Sequence, residues 1–426
     1  MFKLLFHKRN RNFLRLWLAQ LISQFGDRIN QLALVGLMTA RAPGSVTGLT
    51  KVIAFTILPV FVIQPIAGVL VDRWDRRTTL FVCDIARGIL VLSIPFIFMQ
   101  QEMNLPIYIV VFLAFGFSRF YIPAKMSIIP DLVESQHLLM ANSLVSTTGM
   151  IAFVVGCVVG GYIIEWYGPK NGFIVDGATF FFSALLLFSM DLPSRLKINR
   201  FKISQAKEIV REVRKSFWIE MREGFEYLFK TRSIRFILLT LFILLSAAGS
   251  IYVVLIVFIQ NTFHSVTKHL GVLAVFLGVG LFLGALAYGR WGKKAGATKT
   301  IFSCLLAGGL MLTAFTLLVQ QYANIWIADV VALLLGLIVG PIFIASNTVA
   351  HMVSTDEMRG KVFSALEIVI HLAFLLAMLF SSWLSKQIDE MWILIGVGVI
   401  FSVIGIIGMF RLRFMDDLAF SDRKMA

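Results

Sequence analysis

Long apolar runs alternate with short polar connections along the whole chain. A membrane-spanning helix needs about 20 mostly apolar residues, because about 30 Å of hydrocarbon is crossed at about 1.5 Å per residue. Twelve runs reach that length, and they lack both the alternation and the roughly 10-residue length of barrel strands. The pattern therefore predicts an all-α membrane protein with twelve transmembrane helices, at 13–39, 48–71, 79–99, 105–128, 139–164, 171–190, 234–260, 268–290, 298–320, 325–351, 361–384 and 391–411.

The longest polar stretch separates the sixth and seventh predicted spans. Within it, apolar side chains such as Val210, Val213 and Phe217 recur every three or four positions among many Lys, Arg and Glu residues. This spacing is typical of an amphipathic helix on a membrane surface. It predicts three parts, namely an N-terminal six-helix half (1–190), a cytoplasmic amphipathic linker (191–233) and a C-terminal six-helix half with a short cytoplasmic tail (234–426).

Two short features recur in both halves at almost the same offset. The sequence Arg-Trp-Asp-Arg-Arg at 73–77 is matched by Arg-Trp-Gly-Lys-Lys at 290–294, an offset of 217, and Pro123 is matched by Pro341, an offset of 218. These matches argue for duplicated, pseudo-symmetric six-helix bundles. Parallel repeats of this kind hold their substrate between the halves, near the middle of the membrane.

Composition supports the membrane assignment and excludes several classes of protein. Hydrophobic residues make up 58% of the chain and charged residues 15%, against roughly 45–50% and 25% in soluble domains. Such a chain is not expected to be a soluble enzyme, a disordered protein or a disulfide scaffold. Cys83, Cys157 and Cys304 lie scattered inside apolar runs without CxxC spacing, so we expect packing roles and neither a disulfide nor a metal site.

The net charge of +15 is distributed unevenly along the chain. Of the 39 Lys and Arg residues, 30 lie near the termini or in the connections after even-numbered spans, and only a few lie in the opposite loops. Positive residues collect on the cytoplasmic side of membrane proteins, which predicts cytoplasmic termini and a multi-pass protein of the cell (inner) membrane. The lipid bilayer thus accounts for the basic charge, and no nucleic-acid partner is expected.

Charged and amide side chains occupy the middle of the first predicted span. Polar groups at membrane depth must face water, substrate or protein, and each ionisable one is a functional candidate. Asp27 and Arg28 are therefore candidates for ion or proton coupling, with Asp27 as the carboxylate that takes up the proton. The amide and hydroxyl side chains beside them are candidates for a substrate surface: Gln20, Ser23, Gln24, Asn30 and Gln31. The structural alternative is an ion pair of Asp27 with Arg119 or Arg28 that only fixes helix packing.

Further polar groups lie inside other predicted spans. Glu367 and His371 are four residues apart and share a helical face, and His titrates near neutral pH, so both are coupling candidates. The alternative for His371 is a hydrogen-bonded packing residue. Asn347, in the tenth span, is a further candidate for the substrate cavity. Asp84 and Arg87, one turn apart, are expected to neutralise each other.

Residues 68–77 read Gly-Val-Leu-Val-Asp-Arg-Trp-Asp-Arg-Arg and carry a family resemblance. The stretch resembles G-x-L-x-D-R-x-G-R-R, the signature between helices 2 and 3 of the major facilitator superfamily, with Asp75 where Gly is usual. The resemblance implies a gating loop that latches the cytoplasmic ends of the two halves through charge contacts. Its candidate residues are Gly68, Asp72, Arg73, Arg76, Arg77, Asp131 and Arg290.

Other segments resemble the drug- and siderophore-exporter branch, which includes macrolide and enterobactin exporters. They include residues 20–27, the Pro-Asp-Leu-Val at 130–133, and Asp176 with Ser183. Arg119 is similar to the helix-4 arginine that superfamily antiporters use in proton coupling. One position departs from the antiporter pattern: Cys157 replaces the proline of a Gly-rich motif in the fifth span, which weighs against proton antiport through that motif.

Together, the residues and the resemblance predict a secondary transporter that exports an amphipathic small molecule by alternating access, driven by inward proton flow. No enzyme motif and no nucleotide-binding loop occurs in the sequence, so we expect neither catalysis nor a cofactor. The partners expected are a small-molecule substrate, protons and the bilayer, with the protein as a monomer. Two alternatives stay open, a lipid or lysophospholipid flippase of the same fold and a non-transporting membrane scaffold or receptor.

Overall fold

A computed structural model describes residues 10–100, 105–191, 232–353 and 356–415, together with residues 222, 223, 226, 229 and 230. The described chain is helical almost throughout, as predicted. In chain order the helices are α1 (Arg11–Arg41), α2 (Val46–Val62), α3 (Gln64–Arg73), α4 (Arg76–Gln100), α5 (Leu105–Leu132), α6 (Leu138–Tyr167), α7 (Pro169–Phe188), α8 (Arg232–Phe263), α9 (Lys268–Ala295), α10 (Ala297–Tyr322), α11 (Ile325–Val353), α12 (Asp356–Leu384) and α13 (Glu390–Met415).

Most of these helices are long and apolar enough to cross a membrane. Ten in the described ranges meet that criterion by length and composition, and α2 is a shorter apolar helix. Large apolar side chains remain exposed on their outer surfaces, for example Phe96 (62%), Trp326 (71%) and Phe410 (72%). Apolar exposure on this scale fits acyl chains rather than water. The chain is thus a multi-pass membrane protein.

The second predicted span is not a single helix. It was expected to run unbroken over 48–71, whereas α2 ends at Val62 and α3 begins at Gln64. Pro65 occupies the first turn of α3, where its missing N–H costs nothing, but its ring is incompatible with a continuous helix across Ile63. The remaining spans each contain one helix at the predicted place.

The helices group into two compact units. The first comprises Met1–Pro43, Lys51–Ile219 and Val266–Gly271, and the second comprises Gly44–Thr50, Glu220–Ser265 and Val272–Ala426. In the first unit, α1 packs on α6 and α7, and α4 packs on α5 and α7. In the second, α8 packs on α12 and α13, and α10 packs on α11 and α13. The same pairing order in both units fits a duplicated bundle. Most of the predicted linker lies outside the described residues.

Each unit has its own apolar core. Phe13, Leu16 and Leu80 are fully buried in the first unit, where they pack around α1, α4 and α5. In the second unit, Ile301 and Ile342 anchor a smaller cluster around α8, α10 and α11. These cores keep the helices of each bundle in fixed register, which positions the polar groups that the helices carry.

Polar contacts fasten the C-terminal end of α7. Arg77 of α4 donates from Nε to the Leu187 carbonyl at 3.1 Å and from Nη2 to the Phe188 carbonyl. Beyond the helix, the Asn12 side chain donates from Nδ2 to the Asp191 carbonyl at 2.8 Å and accepts at Oδ1 from the Asp191 amide at 3.1 Å. Arg15 pairs with the Asp191 carboxylate at 3.4 Å. The end of α7 is therefore held by α1 and α4 together.

Candidate functional site

A buried guanidinium organises the polar interior of the first unit. Arg87 of α4 is only 4% exposed and pairs with Asp84 one turn before it, as the spacing predicted. The guanidinium carbon of Arg87 lies over two aromatic rings, 4.2 Å from the ring centroid of Phe180 and 4.6 Å from that of Tyr121. The second oxygen of Asp84 accepts a hydrogen bond from Ser183 at 2.5 Å. Helices α4, α5 and α7 thus meet around one ion pair.

Asp27 of α1 also belongs to this cluster. Its Oδ1 lies 3.7 Å from Arg87 Nη1, and its side chain is 37% exposed. The structural alternative named Arg119 or Arg28 as the partner of Asp27, and the structure adds Arg87 as a cation that pairs with it. Asp27 is the most exposed carboxylate of the cluster, since Asp84 and Asp176 are fully buried.

Asp176 of α7 is a third carboxylate in the same interior. It is 0% exposed, and its Oδ1 accepts from Thr179 at 3.3 Å. Its Oδ2 has no hydrogen-bond partner, and no cation of the described residues lies within 4.0 Å of it. Gly26 of α1 allows this arrangement, because a Cβ at position 26 would collide with the side chains of Asp176 and Thr179.

Lys125 of α5 is the second cation of the cluster. It is 9% exposed and interacts electrostatically with Asp27 and Arg87. Among the described residues, three carboxylates (Asp27, Asp84 and Asp176) and two cations (Arg87 and Lys125) are thus brought together here. If these five groups were all ionised, they would carry one surplus negative charge, which burial in a low-dielectric region makes costly. Binding one proton removes that surplus.

The amides of α1 point mainly into the first unit. Gln20 is 0% exposed and donates to the Val145 carbonyl of α6 at 3.0 Å. Ser23 and Asn30 are also buried, and Asn30 lies beside Asp176. For these three residues the prediction of a substrate surface is not supported in this conformation, because they pack against neighbouring helices. Gln24 and Gln31 are only partly buried.

Arg28 lies beside Asp27 in sequence but faces α6. Its Nη1 donates to Gln31 at 3.0 Å, and its guanidinium lies 5.0 Å from the centre of the Phe153 ring. The described part of the chain places no carboxylate within 4.0 Å of it. Arg119 lies on α5 and is partly buried. Arg28 thus lies in different surroundings from Arg87, which pairs with Asp84 and Asp27.

The predicted gating loop makes its contacts inside the first unit. Arg76 pairs with Asp131 at 2.6 Å and donates to the Ser127 carbonyl at 2.8 Å, so it joins the start of α4 to the end of α5. Arg77 holds the end of α7. These contacts brace the ends of three helices of one unit. The expected latch between the two halves stays a prediction.

Asp75, the departure from the superfamily pattern, has a local role. Its carboxylate accepts from the Thr78 amide at 2.7 Å, so it caps the N-terminus of α4. Gly68 has open space where a Cβ would lie, and Arg73 and Arg290 are exposed. The Asp72 side chain lies outside the described residues.

In the second unit, Glu367 and His371 are joined through the backbone of α12. Nδ1 of His371 donates to the Glu367 carbonyl at 2.8 Å. This contact fits the alternative of a hydrogen-bonded packing residue. Asn347 lies on α11, but its side chain is outside the described residues. In the described ranges no group of three or more His, Cys, Asp or Glu side chains is arranged to hold a metal ion.

Sequence reasoning missed Asp176 and Lys125 as members of the site and treated Asp84 and Arg87 as structural. The signal was present, because each is an ionisable residue inside a predicted span. What the sequence does not contain is the rotation of each helix, which decides that charges of α1, α4, α5 and α7 converge.

The sequence matches a known protein family and several curated relatives. A family model described as the Major Facilitator Superfamily matches residues 16–266 and 237–423. The putative bacilysin exporter BacE of Bacillus subtilis (strain 168) is 27% identical over 337 residues, which cover 77% of each chain. The multidrug resistance protein MdtG of Salmonella schwarzengrund (strain CVM19633) is 23% identical over 316 residues, or 74% of this chain and 72% of MdtG.

A solved structure shares the fold. The crystal structure of a bacterial homologue of the iron transporter ferroportin, in an inward-facing state, aligns with a TM-score of 0.72. The alignment covers 93% of this chain and 98% of that one at 14% sequence identity. At that identity the likeness concerns the fold alone.

Proposed function

Because the chain belongs to the Major Facilitator Superfamily, and is therefore a membrane transporter and not an enzyme, we propose that it is a proton-coupled exporter of amphipathic small molecules. In this proposal it works by alternating access in the cell (inner) membrane, with both termini in the cytoplasm. Export is supported by the names of its relatives, an exporter and a multidrug resistance protein. Proton coupling is supported by the ionic cluster of the first unit.

The single observation that carries the coupling is the surplus carboxylate of that cluster. Asp176 is fully buried, has no cation within 4.0 Å among the described residues, and has an unpartnered Oδ2. The neighbouring Asn30 has an unpartnered Oδ1. A proton bound at Asp176 Oδ2 would turn this unpartnered acceptor into a hydrogen-bond donor. A buried carboxylate with no cation beside it favours the protonated state.

In this proposal Asp27 is the group that exchanges protons with water, and its contact with Arg87 transmits the change in charge. It is the carboxylate with the larger exposed fraction, 37%, and it is charged when it pairs with Arg87 across 3.7 Å. When Asp27 takes up a proton, its attraction to Arg87 falls, while Arg87 keeps Asp84. In this proposal, protonation weakens the contact between Asp27 of α1 and Arg87 of α4 and leaves the Arg87–Asp84 pair in place.

The test is proton exchange in everted membrane vesicles. Vesicles containing the protein are acidified by respiration and acridine orange reports the gradient. Three amphipathic compounds of different charge, rhodamine 6G (a cation), chloramphenicol (neutral) and 4-phenylbutyrate (an anion), are then added in turn. Proton-coupled export predicts that at least one compound restores fluorescence, because protons leave the vesicle as the compound enters. Asp27→Asn and Asp176→Asn are each expected to reduce this response to the level of vesicles lacking the protein.

Asp191→Asn is the matched control, because it makes the same chemical change at a 94% exposed carboxylate outside the cluster. It is expected to keep the response. A response that persists in both Asp27→Asn and Asp176→Asn contradicts proton coupling through this cluster. If such variants still move a fluorescent lysophospholipid, the flippase alternative is favoured instead.

A further inference from the structure

An apolar groove on the first unit lies beside Arg28. Leu21, Ile22 and Phe25 of α1 form one wall and Ile151, Ala152 and Val155 of α6 the other, around a volume of about 220 Å³. The groove is open on one side, since Ile151 is 55% and Val155 44% exposed. Its lining is entirely apolar. A volume of this size holds a phenyl ring or a short acyl chain, and not a whole drug-sized molecule.

Arg28 lies one turn after Phe25 on α1 and packs beside Gly156, the residue after Val155 on α6. Its stem packs against Gly156, where a Cβ would lie 2.7 Å from Arg28 Cβ and 3.0 Å from the Phe25 carbonyl oxygen. Phe153 and Gln31 fix the guanidinium, as described above. Phe25 is three residues before Arg28, which is about 4.5 Å along the helix axis. The cation and the apolar wall are thus neighbours on the same surface.

The charge of Arg28 is not neutralised by the described residues. Its contacts are one amide oxygen and one aromatic ring, so most of its five N–H donors are left for another acceptor. Arg28 lies in the middle of the 31-residue helix α1, and a guanidinium at membrane depth is costly unless an anion or water interacts with it. Its planar donor pairs match the two oxygens of a carboxylate.

We propose that this groove and Arg28 form a binding site for an amphipathic organic acid, with its apolar part between α1 and α6 and its carboxylate on Arg28. The inference rests on the proposed transport function and names the chemical class of its substrate. Charge complementarity selects the acid over a neutral ester of the same shape. The carboxylate keeps its charge on binding, so no covalent step is involved.

The test is a binding measurement that needs no gradient. The purified protein is placed in nanodiscs of phosphatidylcholine and titrated with 4-phenylbutyrate or its methyl ester, with binding followed by thermal unfolding. The acid is expected to bind at least tenfold more tightly than the ester. Arg28→Gln should weaken the acid roughly 10- to 100-fold, the range for a charge-assisted hydrogen bond, and leave the ester unchanged. Arg28→Lys keeps the charge but lacks the planar donors, so its affinity for the acid should lie between those of the unsubstituted protein and Arg28→Gln.

Two controls separate the parts of the site. Arg15→Gln makes the same change on α1 at an arginine that already pairs with Asp191, and it should leave acid binding unaltered. Val155→Trp fills the groove and should weaken acid and ester together. Normal unfolding temperatures of the ligand-free variants show that each is folded.

Several outcomes overturn the inference. They are equal binding of acid and ester, no binding of either at their solubility limits, or acid binding that survives Arg28→Gln. Loss of acid binding in phosphatidylglycerol nanodiscs would identify an anionic lipid as the occupant and also refute the proposed one. Because proton coupling is measured in a separate vesicle assay, failure of either proposal leaves the other intact.

Discussion

Removing Arg87 should destabilise the first unit more than removing any exposed arginine. Arg87→Met keeps an unbranched apolar side chain but deletes the guanidinium that neutralises Asp84, which is 0% exposed. The Asp84 carboxylate would then keep only its hydrogen bond from Ser183. Breaking a buried ion pair by removing one partner costs about 3–5 kcal/mol, because the remaining charge stays buried and unpaired.

The structure supplies a compensating substitution. Asp84→Asn replaces the stranded charge by an amide that can still bond Ser183, so the Asp84→Asn/Arg87→Met protein should recover a large part of the loss. Stability is measured as the free energy of unfolding of the purified protein, titrated with SDS in mixed micelles and followed by Trp fluorescence. Arg15→Met is the matched control, since its partner Asp191 is 94% exposed and such pairs contribute about 0–1 kcal/mol.

Two results would refute this reasoning. One is an Arg87→Met protein within about 1 kcal/mol of the unsubstituted protein, which would mean that water or a proton already compensates Asp84. The other is a double variant no more stable than Arg87→Met, which would mean that the loss comes from packing against Phe180 and Tyr121 rather than from the unpaired charge.

Two further predictions concern the loop between α3 and α4. Asp75→Ala should lower the unfolding free energy by about 1 kcal/mol through loss of the N-cap, whereas Asp75→Asn should cost little, and equal losses in the two would contradict the cap. Arg76→Gln should cost at most about 1 kcal/mol, because its pair with Asp131 is more than one-third exposed, and the difference should shrink in high salt. A loss in Arg76→Gln that salt does not change would contradict an electrostatic role.

The fold was largely predictable because the helices of a membrane protein follow from the length and apolarity of each segment of the sequence. The length and apolarity of each run set the helices, and the repeat of residues 73–77 at 290–294 indicated the duplication that the helix pairing reflects. The break at Ile63 was missed, although Pro65 signals a helix start as readily as a kink. Which of the two occurs depends on how neighbouring helices pack.

The site was only partly predictable because it depends on how the helices are rotated. Asp27 was singled out from its position in an apolar run, and the structure joins it to Arg87 at 3.7 Å. Its partner could not be read from the sequence, since Arg87, Arg28 and Arg119 all lie inside predicted spans. Asp176 could be recognised as a site residue only from the structure, where its Oδ2 is buried without a hydrogen-bond partner.

The fastening at the end of α7 has a mechanical consequence. The last carbonyls of a helix lack partners within it, so a helix end usually frays first. Here Arg77 donates hydrogen bonds to the carbonyls of Leu187 and Phe188, and the Asn12 side chain donates one to the carbonyl of Asp191. A force applied at Asp191 would therefore act on α1 and α4 as well as on α7.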